Sequence, residues 1–101
     1  MPDLAPIILF VYNRLDHTIK TITELQKNKL ANESELFIFS DAPKNNSSYL
    51  GVEKVRNFIK TVDGFKKITI IERQKNYGLA ASIIDGVSKI VNDFGKVIVL
   101  E

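Results

Sequence analysis

No cysteine occurs in the chain, which excludes disulfides, thiolate nucleophiles and zinc–thiolate sites. Histidine occurs once, as His17, in what reads as the first turn of a helix, so no Ser-His-Asp arrangement is expected. The glycines form no Gly-x-Gly-x-x-Gly turn: the first apolar run leads into Tyr12-Asn13-Arg14-Leu15-Asp16. The dinucleotide-binding fingerprint is therefore missing, and so is a P-loop. As a phosphorylatable aspartate at a strand end only Asp41 could be offered, and it has no acidic pair beside it, so a phosphoacceptor cluster is not expected either. No group of His, Asp or Glu has metal-ligand spacing within the chain. The longest apolar run, Ala5 to Tyr12, is strand-length and far short of the roughly 20 residues a membrane helix needs. Met1-Pro2-Asp3 lacks the basic start and small-residue cleavage site of a signal peptide.

What remains is an ordinary globular composition. With 45% hydrophobic and 26% charged residues, the chain is read as one domain spanning 1–101. A net charge of +2 is too small to imply a nucleic-acid or membrane partner. A cytoplasmic setting is expected, or the membrane face by way of segments not in this chain.

Strand and helix alternate along the sequence. Pro6 to Tyr12 is a continuous apolar run, as suits a strand covered on both faces. Asp16 is placed to cap the following helix, whose stripe runs through Thr18, Ile22, Leu25 and Lys29 and ends near Leu30. Leu36 to Ser40 reads as the second strand, and Asp41 to Ser48 as a loop rich in turn formers. Leu50 to Val62 reads as a helix with Val55, Phe58, Ile59 and Val62 on its buried face, ended by Asp63-Gly64. Lys67 to Glu72 is the third strand. Leu79 to Phe94 is the third helix, with Leu79, Ile83, Val87, Ile90, Val91 and Phe94 on one face, widened by Ala80 and Ile84. A fourth strand follows at once, from Lys96 to Glu101.

This order predicts an α/β fold: a Rossmann-like three-layer α/β/α arrangement around a mainly parallel sheet of about four strands. The loops leaving the strands then gather on one rim and bring Asn13, Arg14, Asp41, the segment Arg73 to Gly78 and Glu101 together. Arg14 offers a fork of donors suited to phosphate or carboxylate, and Asn13 both donors and an acceptor. Asp41 can accept from a base or a ribose hydroxyl. Arg73, Lys75 and Asn76 add donors, and Gly78 precedes a helix whose free amides favour anions. A ligand with a nucleobase and phosphates fits this set. Plainer roles stay open: a solvated or capping Arg14, a turn-forming Asp41, a loop glycine at Gly78, and Asn76 as the cap of the third helix.

Three segments carry a family resemblance. They are Pro6 to Arg14 running into Asp16-His17-Thr18-Ile19-Lys20-Thr21, Arg73-Gln74-Lys75-Asn76-Tyr77-Gly78-Leu79-Ala80-Ala81-Ser82, and Val97-Ile98-Val99-Leu100-Glu101. In this order they resemble the N-terminal, nucleotide-sugar-binding half of a GT-A-fold glycosyltransferase of the family 2 type, with some likeness to the N-acetylglucosaminyltransferase I branch. The resemblance implies that the chain is the first part of a larger transferase domain, a truncated GT-A fold. It implies a UDP- or GDP-sugar as donor and an acceptor hydroxyl of unstated identity. Tyr12, Asn13, Arg14, Asp41, Arg73, Asn76 and Gly78 would bind the nucleotide sugar. Glu101 would open an acidic motif whose aspartates hold Mn²⁺ or Mg²⁺ in the full-length enzyme. Those aspartates and the general base are not in this sequence, so the chain alone is expected to bind no metal and to be inactive. The second strand ends Ser40-Asp41-Ala42-Pro43, not in the Asp-Asp-Gly-Ser run common in the family. The rival expectation is a non-catalytic α/β module that binds a nucleotide or a protein. An unpaired sheet edge would also favour self-association.

Overall fold

Apolar side chains on both faces of the first strand demand cover on both sides, and the structure supplies it. The structure, a computed structural model that describes residues 4–100, is α/β with four parallel strands and three helices. The elements in order are β1 (Ile7–Val11), α1 (Leu15–Gln26), β2 (Glu35–Ser40), α2 (Tyr49–Ile59), β3 (Lys67–Glu72), α3 (Leu79–Phe94) and β4 (Ile98–Leu100), with short 3₁₀ turns at Ala31–Glu33 and Asn46–Ser48. The sheet order is β3-β2-β1-β4. β1 runs beside β2 from Ile7–Leu36 to Val11–Ser40, and beside β4 from Ile7–Ile98 to Leu9–Leu100. β2 and β3 pair from Glu35–Lys67 to Ser40–Glu72.

The alternation of side chains along the central strands divides the core in two. Leu9, Val11, Leu36 and Ile38 face Ile22 of α1 and Val55 and Ile59 of α2. Ile8, Phe10 and Phe39 face Ile90, Ile83 and Val87 of α3. This is the three-layer arrangement expected from the sequence. β4 occupies an edge and pairs only with β1, leaving Ile98 and Val99 exposed.

Several local expectations need correction. Asp16 does not cap α1: Arg14 is the N-cap residue and Asp16 sits within the first turn. There its charge faces the positive end of the helix dipole. α1 stops at Gln26, short of Lys29 and Leu30, because the Asn28 side chain accepts the Leu30 amide and turns the chain. α2 starts at Tyr49 and stops at Ile59, and Thr61 and Val62 fold back in i→i−3 turns onto Phe58 and Ile59.

The buried face of α3 is also rotated from the expected one. Its most buried residues are Ser82, Gly86 and Ile90, whereas Leu79 and Ile84 are exposed. The cause lies in the sheet. Phe10 and Phe39 stack with ring centroids 5.4 Å apart, and a Cβ on Gly86 would come within 3.0 Å of the Phe10 ring. Two large rings under the helix need small residues above them.

Candidate functional site

The strand order reverses at β1: β2 and β3 are added on one side of it and β4 on the other. Ligands of open α/β sheets bind at the carboxyl ends of strands beside such a point. A cavity of about 520 Å³ lies there, within the size range of small-molecule sites. Its floor is Leu9, Phe10 and Val11 of β1. Its walls are Tyr12, Asn13 and Arg14 with His17, Thr18 and Thr21 of α1, then Asp41 and Lys44, and Asn76, Gly78, Leu79 and Ser82 at the start of α3. Six of the seven residues expected at the nucleotide-sugar site therefore share one cavity: Tyr12, Asn13, Arg14, Asp41, Asn76 and Gly78. The seventh, Arg73, is not among the lining residues.

Each wall has a local cause. The Tyr12 hydroxyl accepts the Lys44 amide at 2.8 Å, tying the loop after β2 to the end of β1. Thr18 Oγ1 donates to the Arg14 carbonyl at 2.8 Å, which fixes the first turn of α1. Gly51 of α2 has no room for a side chain, since a Cβ there would lie 2.8 Å from the Asn13 carbonyl oxygen. The helix thus presses directly on the loop that presents Asn13 and Arg14. The Arg14 guanidinium pairs with no carboxylate among the described residues and remains exposed.

Asp41 joins the second and third walls. It is 7% exposed. Its Oδ1 accepts the amides of Ala42 and Tyr77, each at 2.9 Å. Its Oδ2 accepts the Gly78 amide at 2.9 Å and the Asn76 side chain at 3.3 Å. Four donors occupy the roughly four lone-pair sites of a carboxylate. Asp41 is thereby the clamp that holds the Asn76–Gly78 segment against the end of β2. Asn76 does not cap α3; its Nδ2 also donates to the Ala42 carbonyl at 2.8 Å. The N-cap position belongs to Gly78, whose φ of +80° suits a residue without a Cβ.

Arg73 is buried behind this segment. Its Nη1 lies 2.8 Å from Asp85 of α3, and its guanidinium carbon is 4.1 Å from the Tyr77 ring centroid and 5.0 Å from that of Phe39. Such stacking on two ring faces is favourable for a desolvated cation. Arg73 therefore braces α3 and Tyr77 from below.

The hydrogen bond from Lys89 holds the Asp85 carboxyl below its usual range; partial burial opposes this, and the bond from Arg73 and both nearby charges reinforce it. A depressed folded-state pKa contributes stability that is complete above the ordinary carboxylate pKa, about 4, and lost as pH falls through the lowered value. Urea titrations of the wild type and Asp85→Asn should therefore differ at pH 6 and converge as the pH falls toward about 2, below the ordinary carboxylate range. A constant difference across that range would contradict the assignment.

Arg56 is a residue the sequence reading did not single out. From α2 its Nε donates to Ser40 Oγ at 2.9 Å, and its Nη2 to the carbonyls of Ser40 at 3.1 Å and Arg73 at 2.9 Å. It thus ties the carboxyl ends of β2 and β3 together beneath the cavity rim. A signal was available: Arg56 falls four residues after Val52, next to Val55, on a stripe that is otherwise apolar and buried.

Among the described residues no three His, Asp or Glu side chains form a group that could hold a metal ion. Glu101, expected to open an acidic motif, lies outside the described residues. The described residues alone offer no ligand set for Mn²⁺ or Mg²⁺. No helix among the described residues is long and apolar enough to cross a membrane. Comparison with protein-family models, with curated proteins and with solved structures finds no match for the chain.

Proposed function

We propose that the cavity at the carboxyl end of β1 takes the nucleoside diphosphate of a UDP- or GDP-sugar, and that the chain is the donor-binding part of a glycosyltransferase that passes the sugar to an acceptor hydroxyl. The observation that carries this reading is convergence. Six residues scattered from Tyr12 to Gly78 face one cavity at the point where the strand order reverses. The chemistry of the walls agrees. Arg14 and Lys44 supply positive charge for phosphates, while Tyr12, Val11 and Leu79 give apolar surface suited to a base or sugar ring. Asp41 acts through the amides it holds and not by direct contact with the base, because its acceptor sites are taken. Arg73 acts through Tyr77 and Asp85.

One observation favours the second reading, a nucleotide-binding module without catalysis. Asp41 is the sole carboxylate among the described residues lining the cavity, and it is engaged. In either case the chain binds and orients the nucleotide.

Isothermal titration with UDP and with GDP tests the binding. Saturable binding of one nucleotide is expected. Arg14→Ala should weaken it about 5- to 30-fold, the loss of one charge-assisted hydrogen bond of roughly 1–2 kcal/mol. Absence of binding by both nucleotides, or an unchanged affinity in Arg14→Ala, would overturn the proposal.

A further inference from the structure

The first turn of α3 carries features that the nucleotide reading alone does not use. Its first intrahelical bond runs from the Ser82 amide to the Gly78 carbonyl, at 3.0 Å. The amides of Leu79, Ala80 and Ala81 precede it, and no side chain caps them. A helix start alone is common, but here a second feature accompanies it. Ser82 is 3% exposed and lines the cavity, yet its hydroxyl makes no hydrogen bond with the described residues. The hydroxyl oxygen is not sealed from solvent, so it opens onto the cavity with a proton to donate. Ser82 stands four residues after Gly78, so both lie on the same side of the helix start. A Cβ on Gly78 would meet nothing within 4 Å, so the space in front of the turn is open. Arg14 and Lys44 border the same cavity.

We propose that the α3 start and the Ser82 hydroxyl form a phosphate-binding subsite, which holds the diphosphate end of the ligand with Arg14 and Lys44 as counter-charges. The assignment rests on the nucleotide reading for the identity of the ligand, though the subsite itself needs only a phosphate. The small side chains of Ala80 and Ala81 leave the amides approachable, and Ser82 donates its proton to a phosphate oxygen from the cavity wall. The nucleoside then lies toward Tyr12 and Asn13.

Calorimetry on the 101-residue chain with pyrophosphate, UDP and uridine, for the wild type and Ser82→Ala, tests this. Alanine is the better helix former, so the variant keeps its fold. The expected result is saturable binding of pyrophosphate and UDP, each weakened about tenfold in Ser82→Ala, with the uridine response unchanged. If UDP binds and Ser82→Ala leaves its affinity intact, the subsite is wrong while the nucleotide reading stands. If Ser82→Ala weakens pyrophosphate but UDP binds no tighter than pyrophosphate, the subsite stands and the nucleotide reading falls. If neither pyrophosphate nor UDP binds, both fall.

Discussion

Replacing Asp41 by asparagine should cost the domain about 2–4 kcal/mol, a large part of the roughly 5–15 kcal/mol that stabilises a domain of this size. The two side chains have nearly the same shape, so the effect isolates charge and acceptor number. An amide oxygen can keep two of the four donors. Its nitrogen must then face the other two, for example the Gly78 amide and the Asn76 side chain now on Oδ2. Those contacts turn from charge-assisted bonds into donor–donor repulsion in a place that is 7% exposed. The loss should appear as a lower urea midpoint with an unchanged m-value. It should also free the Asn76–Gly78 segment, seen as faster amide exchange at Tyr77 and Gly78. A midpoint within experimental error of the wild type would mean that the clamp is not a structural element and that Asp41 is available to a ligand.

The second large effect is expected at Arg56. Methionine in its place fills much of the same volume and removes every donor. The Arg73 carbonyl and the Ser40 hydroxyl lose the Arg56 bonds, whereas the Ser40 carbonyl keeps the Arg73 amide at 2.9 Å. A half-buried guanidinium with three good bonds should be worth about 2–3 kcal/mol here. Its ion pair with Glu72 at 3.9 Å adds little, since Lys60 holds the same carboxylate at 3.3 Å. Arg56→Lys should recover only part of the loss, because an ammonium lacks the planar fork that spans two strand ends. Thermal unfolding of the three proteins checks the order wild type, then lysine, then methionine. Equal stability of the lysine variant and the wild type would show that charge alone, without the fork, holds the strand ends.

These two residues also mark where sequence reasoning stops. β3 and α3 were legible to the residue, at Lys67–Glu72 and Leu79–Phe94, because alternation, helical periodicity and Gly95 are local signals. The layer order followed from the strand–helix succession. The cavity's position followed too, since parallel strands put every exit loop on one rim. The partners of those loop residues were not legible. Asp41 meets Tyr77 and Gly78 across 36 and 37 positions, and no local pattern encodes such a closure. Arg73 looked like a rim cation, yet Phe39, Tyr77 and Asp85 draw it inward, and each comes from a different part of the chain. The rotation of α3 was hidden for the same reason. Its apolar residues predict one face, but the Phe10–Phe39 stack selects the face with Ser82 and Gly86.

The most direct measurement of the central claim is an amide chemical-shift map of the chain during titration with UDP and GDP in the presence of Mg²⁺. The account predicts that one nucleotide produces saturable shifts concentrated at Asn13, Arg14, Lys44 and Gly78, around the cavity at the carboxyl end of β1. Residues around the smaller hollow formed by Glu33, Lys66 and Phe94 should stay still. Shifts concentrated at that hollow, or no saturable shift with either nucleotide, would contradict it.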